Sequence, residues 1–218
     1  ADTEGPTAEE SSAPSFLTSK STGTVLDSSE YSHRVEITID NTNSSEQLKD
    51  FPLLITIPAA SSIHSDVISA NGHDIRFTDT DFGYQLYHEI EYYADSQNSY
   101  TWVRIPRLLE NSAENKIYMY YGKSGAVSAS DPENTFSSDI FERVYHFNDT
   151  FLGAIGETAF DSAGTENIPT VFGSDITSTT GLIAGGINAA SKDAGFSSTM
   201  TSQSKLQGTI SMLIRMNS

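Results

Sequence analysis

The sequence predicts an all-β protein built on an antiparallel β-sandwich. Apolar residues recur with period two in several short runs, the spacing of half-buried strands. Clusters of Gly, Asn, Asp and Ser punctuate those runs at short intervals, and no stretch carries a convincing helical period.

The first 30 residues are rich in Ser, Thr, Ala, Glu and Pro, with Phe16, Leu17, Val25 and Leu26 as the sizeable apolar groups. Such a segment buries too little surface to offset its ordering entropy, and residues 1–30 read as a flexible leader. Alternation begins at His33–Asp40, where Val35, Ile37 and Ile39 share a face opposite Arg34, Glu36 and Thr38. Phe51–Pro58 is more continuously apolar and bracketed by prolines, as a buried strand with defined ends would be. Asn71-Gly72 marks a turn, Asp74–Thr78 alternates again, and Asp81–Gly83 closes it. Strands are expected at Gln85–Tyr92, Tyr100–Pro106 and Lys116–Tyr121, so residues 31–124 form the first domain.

Residues 125–139 (GAVSASDPENTFSSD) read as a turn-rich linker. A second segment, 140–218, opens with a strand over Ile140–Asn148, with Phe141, Arg143, Tyr145 and Phe147 on one side and His146 on the other. Further strands are expected at Gly181–Ile187 and Gly208–Arg215.

Charge and composition exclude several classes. With 29 acidic against 12 basic residues, the net charge of -17 repels nucleic-acid phosphates and anionic membranes. No apolar run approaches the ~20 residues of a membrane helix, so no membrane insertion is expected. There is no Cys, which removes disulfides and thiolate metal sites. The five His (His33, His64, His73, His88, His146) have no HxH or HExxH spacing and predict no zinc site. No GxSxG elbow or phosphate-binding glycine loop is present.

Six blocks in order, YSHRVEITIDNT, DFPLLITI, NGHDIRFTDTD, HEIEYY, YTWVRIP and KIYMYYGKSGAVSASDPENTF, resemble an extracellular β domain of bacteria and archaea of unknown function, over about Tyr31 to Phe136. That family is found beside laminin-G or concanavalin-like modules and in the exported part of some MotA/TolQ/ExbB-type proton-channel proteins. The remainder, VYHFNDT, AFDSAGTENIPTVFG, TTGLIAGGINAAS and GTISMLIRMNS, resembles the opening of a laminin-G/concanavalin-like jelly roll. Met212 and Leu213 stand where that family usually has an aromatic. The resemblance implies a partial concanavalin-like jelly roll after the sandwich, with 140–218 as its N-terminal, truncated part. It also implies export, to the cell surface or extracellular space or to a periplasm.

Three candidate sites follow. Tyr100, Trp102 and Arg104 alternate onto one strand face, and Tyr118 and Tyr120 onto another. If those faces coincide, they form an aromatic platform for stacking on a sugar ring. Asp79 and Asp81, with Asp74 nearby, offer the hard oxygen ligands that calcium prefers. Glu89 and Glu91 share a strand face at roughly 7 Å, a spacing used in glycoside hydrolysis. They are expected to be solvent-facing charges, because the third acid of concanavalin-like glycosidase strands is missing from Glu89-Ile-Glu91-Tyr-Tyr93-Ala94. The resulting expectation is a non-enzymatic exported module that binds glycan or another surface ligand in adhesion or substrate tethering. The alternatives are a structural spacer or assembly unit that self-associates or joins a larger chain through sheet edges, and an accessory part of a glycoside hydrolase. No cofactor is expected beyond calcium.

Overall fold

The computed structural model describes residues 23–149, 154, 156–164, 170–172, 176–189, 193 and 195–197. Within them the chain is nearly all β, and every strand pairing is antiparallel. The strands are β1 (His33–Ile39), β2 (Leu48–Ile57), β3 (Arg76–Thr78), β4 (His88–Tyr92), β5 (Ser99–Leu108), β6 (Asn115–Tyr121), β7 (Thr170–Phe172), β8 (Ile176–Thr180), β9 (Gly185–Ala189) and β10 (Gly195–Ser197). Two four-residue helical turns, α1 (Ile63–Asp66) and α2 (Pro132–Thr135), lie between them. No helix among the described residues is long and apolar enough to cross a membrane.

Two three-stranded sheets, ordered β1-β6-β3 and β2-β5-β4, enclose one core. The first sheet contributes Val35, Ile37, Ile39, Phe77, Ile117, Met119 and Tyr121, and the second Leu53, Ile55, Ile57, Val103, Ile105 and Leu108. Period two is the cause: β1 alternates half-buried and exposed residues along its whole length, so one face meets the core and the other water. Full burial of such a side chain contributes about 1.5–3 kcal/mol, and the half-buried residues of β1 contribute less. The expected strands at 33–40, 51–58, 100–106 and 116–121 are all present within a few residues. The strand expected at Gln85 starts at His88, Gln85 itself forming a single bridge to Thr78.

Asp74 locks the end of this sandwich. Its side chain is fully buried; Oδ2 accepts from the backbone N–H of Ile68 and of Gly122, and Oδ1 from that of Ser69. Gly122 is at φ +84, and a Cβ there would come within 2.9 Å of the His33 ring, so glycine is required where the chain leaves β6.

Part of the expected leader joins the fold. Residues 23–30 include a one-turn 3-10 helix at Ser28–Glu30, and Val25 bridges to Tyr84. The remainder of the expected leader and the strand expected at Gly208–Arg215 lie outside the described residues.

The stretch expected as a linker carries α2, whose N-cap Asp131 accepts from the Asn134 N–H. It lies along β4: the Asp131 N–H donates to the His88 carbonyl, and the Ile90 N–H to the Ser130 hydroxyl. The strand expected over Ile140–Asn148 is not formed; the segment is irregular. Phe147 adopts φ +56, which breaks the pleat. Its polar groups go to a neighbouring turn instead: the Val144 N–H donates to Asp161 Oδ1, and the Ser162 N–H to the Val144 carbonyl. Further on, β7 pairs β10, and β8 pairs β9. The strand expected at Gly181–Ile187 is displaced, since 181–184 form the turn between β8 and β9.

Candidate functional site

The aromatic residues are divided between the two outer surfaces of the sandwich. Trp102, Arg104 and Tyr100 stand on β5, between β2 and β4; Tyr118 and Tyr120 stand on β6, between β1 and β3. In both strands the intervening residues, Thr101, Val103 and Ile105 or Ile117, Met119 and Tyr121, are buried, the apolar ones in the shared core. Both aromatic rows therefore point away from the shared core, back to back. The single platform expected from alternation does not form, because the two strands belong to opposite sheets.

On the β5 row Trp102 is half-buried, with rings packed against it. The Trp102 ring stacks on the His146 imidazole (centroids 5.7 Å apart, planes 22° apart) and meets Phe136 edge-on at 5.5 Å. Phe136 in turn meets Phe141 edge-on at 5.5 Å. Arg104 is 4 % exposed; one of its nitrogens donates to the Asn134 carbonyl, and its Nε lies 3.4 Å from Asp50. Tyr100 is half-buried opposite Tyr92.

Beneath that cover lies a cluster that spacing along the chain does not reveal. Glu89 and Glu91 are each 6 % exposed, not solvent-facing as expected, because residues 131–148 and 159–163 close over β4. His146 sits between them, with Nε2 3.1 Å from Glu89 Oε2 and Nδ1 3.0 Å from Glu91 Oε2. Glu89 Oε1 accepts from the Ser162 hydroxyl at 2.8 Å. Glu91 accepts from Trp102 Nε1–H at 3.2 Å and from the Asn148 amide at 3.1 Å. A β-bulge between Ile90 and Tyr92 leaves Glu91 without a register partner on β5, so its side chain leans over the Trp102 edge. Burial pushes the Glu91 carboxyl up to about 7, with the Glu89 charge adding to the rise and His146 opposing it. Burial alone would lower His146, but the Glu89 hydrogen bond and the charges of Glu89, Glu91 and Asp149 outweigh it and raise the imidazole. One donor atom from each of Glu89, Glu91 and His146 falls within 4.8 Å of the others.

His88, next in sequence, points the opposite way. It is buried in the core against Phe77, and desolvation lowers it to about 4.

Residues 71–159 match the family described as a domain of unknown function (DUF2341). No curated protein and no solved structure matches the chain. The DUF2341 match begins before β3 and runs through the expected linker to Ala159, so it contains Glu89, Glu91, Trp102 and His146. It starts later than the expected Tyr31 boundary and leaves out β1 and β2.

The calcium candidates are turned to separate stretches of backbone. Asp74 serves Ile68, Ser69 and Gly122, while Asp79 Oδ1 accepts from the N–H groups of Phe82 and Gly83. Asp81 is exposed in the same turn as Asp79. The carboxylates of Asp74 and Asp79 act as caps in place of converging on a common point.

The β6 row has a different environment. Tyr118 and Tyr120 are half-buried on the outer face of the first sheet, their ring centroids 6.3 Å apart. Tyr31 continues the row, 6.0 Å from Tyr120. The Arg34 guanidinium lies over the Tyr118 ring at 4.4 Å, and Lys123 lies 5.5 Å from the Tyr31 ring centre.

Proposed function

We propose that this chain is a non-enzymatic exported module that binds glycan through the outer face of the β1-β6-β3 sheet. The observation that carries the reading is the row Tyr31–Tyr120–Tyr118, three partly exposed rings with neighbouring centroids 6.0 and 6.3 Å apart. Partly exposed rings offer apolar surface to the C–H face of a sugar, and the Arg34 and Lys123 donors beside them suit its hydroxyls. A protein carrying -17 favours neutral over acidic glycans, since an anionic chain would meet long-range repulsion. The Glu89–Glu91 pair supports binding over hydrolysis: the His146 ring occupies the space between the two carboxylates where a glycosidic bond would have to lie. In this reading the module serves adhesion or substrate tethering outside the cytoplasm, and 140–218 belongs to an adjoining laminin-G/concanavalin-like module.

The test is retention on a panel of immobilised neutral polysaccharides, comparing the intact chain with Tyr118→Ala, Tyr120→Ala and Trp102→Phe. We expect retention to fall about two- to tenfold in each of the two tyrosine variants, each ring contributing about 0.5–1.5 kcal/mol. The Trp102→Phe variant should bind as the parent does. Failure to bind any glycan, or equal binding by all variants, would overturn the reading.

A further inference from the structure

We infer that Glu89, Glu91 and His146 form a binding site for a first-row divalent transition cation, zinc being the probe of choice. The site is distinct from the tyrosine face and lies on the other side of the sandwich.

Charge balance is the first argument. Two carboxylates are buried around a single imidazole, so when both are ionised even a protonated His146 leaves one negative charge uncompensated. Arg104 and Arg143 are directed elsewhere, towards Asp50 and Asp161. Buried charges are tolerated when they are paired or coordinate a metal. A dication with two carboxylates and a neutral imidazole gives a net charge of zero.

Geometry is the second. Donor atoms from the three residues lie within 4.8 Å of one another. Bonds near 2.1 Å at tetrahedral angles set donors about 3.4 Å apart, so the cluster contracts by up to about 1.4 Å around an ion. The 3.1 Å gap between His146 Nε2 and Glu89 Oε2 suits two such bonds meeting at one ion, and the ring, whose Nδ1 faces Glu91, shifts to let the Glu91 carboxylate complete the set.

The third argument comes from groups outside the donor set. The Ser162 hydroxyl fixes the far oxygen of Glu89, while Trp102 Nε1–H and the Asn148 amide hold the two oxygens of Glu91. The stacked Trp102 ring sets the plane of the imidazole. Outer partners of this kind orient ligands ahead of an ion and strengthen its binding. An imidazole nitrogen beside two carboxylates favours zinc and its neighbours over calcium or magnesium, which prefer all-oxygen shells. Three protein ligands leave a fourth position for water. The ion would tie β4 to the segment around His146, 57 positions away from Glu89 in sequence.

The experiment is calorimetric titration of the chelator-stripped chain with zinc chloride and calcium chloride at pH 7.5, with His146 ring resonances followed by NMR. We expect one zinc per chain, a raised melting temperature, perturbation of the His146 ring, and no calcium response. Glu91→Gln and His146→Gln should weaken zinc binding by at least the roughly ten- to hundredfold that losing an outer partner costs. His33→Ala, which alters a His–carboxylate pair with exposed side chains (His33–Asp66), should leave it unchanged. The intact chain decides the matter even if a variant fails to fold. Failure of the intact chain to take up one zinc, or zinc uptake that leaves the His146 ring unperturbed, would overturn the assignment. Retention of glycan has no bearing on the result, so the two proposals fail separately.

Discussion

His88 and Glu89 are neighbours in the chain with opposite fates, because successive strand residues face opposite sides of the sheet. Glu89 enters a polar niche with His146 and Ser162; His88 enters the core, where its Nε2 has no hydrogen-bond partner. An unpaired ring nitrogen in apolar surroundings disfavours the imidazolium, which is why His88 falls to about 4 from 6.5. The sign for stability follows. As pH falls below 6.5 the unfolded chain takes up a proton that folded His88 refuses until about pH 4, so stability is full above 6.5 and lost across that window. The loss from this residue amounts to about 3 kcal/mol. Urea unfolding at pH 7 and pH 4 should show a smaller acid-induced loss in His88→Leu than in the parent. Equal losses in the two proteins would contradict a buried neutral His88.

At the scale of elements, the strands hold their positions through a small number of polar ties that cross between them. Asp74, at the entrance to β3, joins the chain following α1 to the residue that follows β6. Replacing it with Asn removes the charge and one acceptor oxygen while keeping the shape. Because charge-assisted bonds to buried N–H groups would be lost, Asp74→Asn should destabilise the sandwich by about 2–4 kcal/mol in denaturant titration. A change below about half a kcal/mol would show that the ties are dispensable.

The elements also explain what was legible in the sequence. β1 and β6 could be read at sight, since each presents one face to the core and one outward, and period two records that division. Which sheet a strand joins leaves no such mark. Trp102 and Tyr118 alternate in the same way, yet β5 pairs with β2 and β4 while β6 pairs with β1 and β3. Glu89 and Glu91 read as solvent-facing because their own strand is polar on that side. Their cover arrives from residues more than 40 positions later, and His146 from 57 positions beyond Glu89. A lone histidine in YHF carries no local signal of two carboxylate partners. The Ile140–Asn148 alternation was real as a pattern, but Phe147 at positive φ and the hydrogen bonds to the 161–162 turn hold the segment outside any ladder.

At the scale of the whole molecule, the sandwich has one outer sheet face closed and one carrying partly exposed aromatic rings. The closed face holds Trp102, Arg104 and the Glu89–His146–Glu91 cluster under residues 131–148 and 159–163. The other face carries Tyr31, Tyr118 and Tyr120 with Arg34. In the proposed reading the glycan-binding surface is the tyrosine face, because Phe136 and His146 pack against the Trp102 ring. Trp102 is the single tryptophan of the chain, so its fluorescence reports the closed face without ambiguity. The most direct measurement is acrylamide quenching of Trp102 emission in the parent and in Phe136→Ala, which opens the ring's edge contact. The parent should emit at short wavelength and resist quenching, and Phe136→Ala should shift to longer wavelength and quench readily. Emission from the parent that already matches free tryptophan in water, with full quenching, would contradict a closed face.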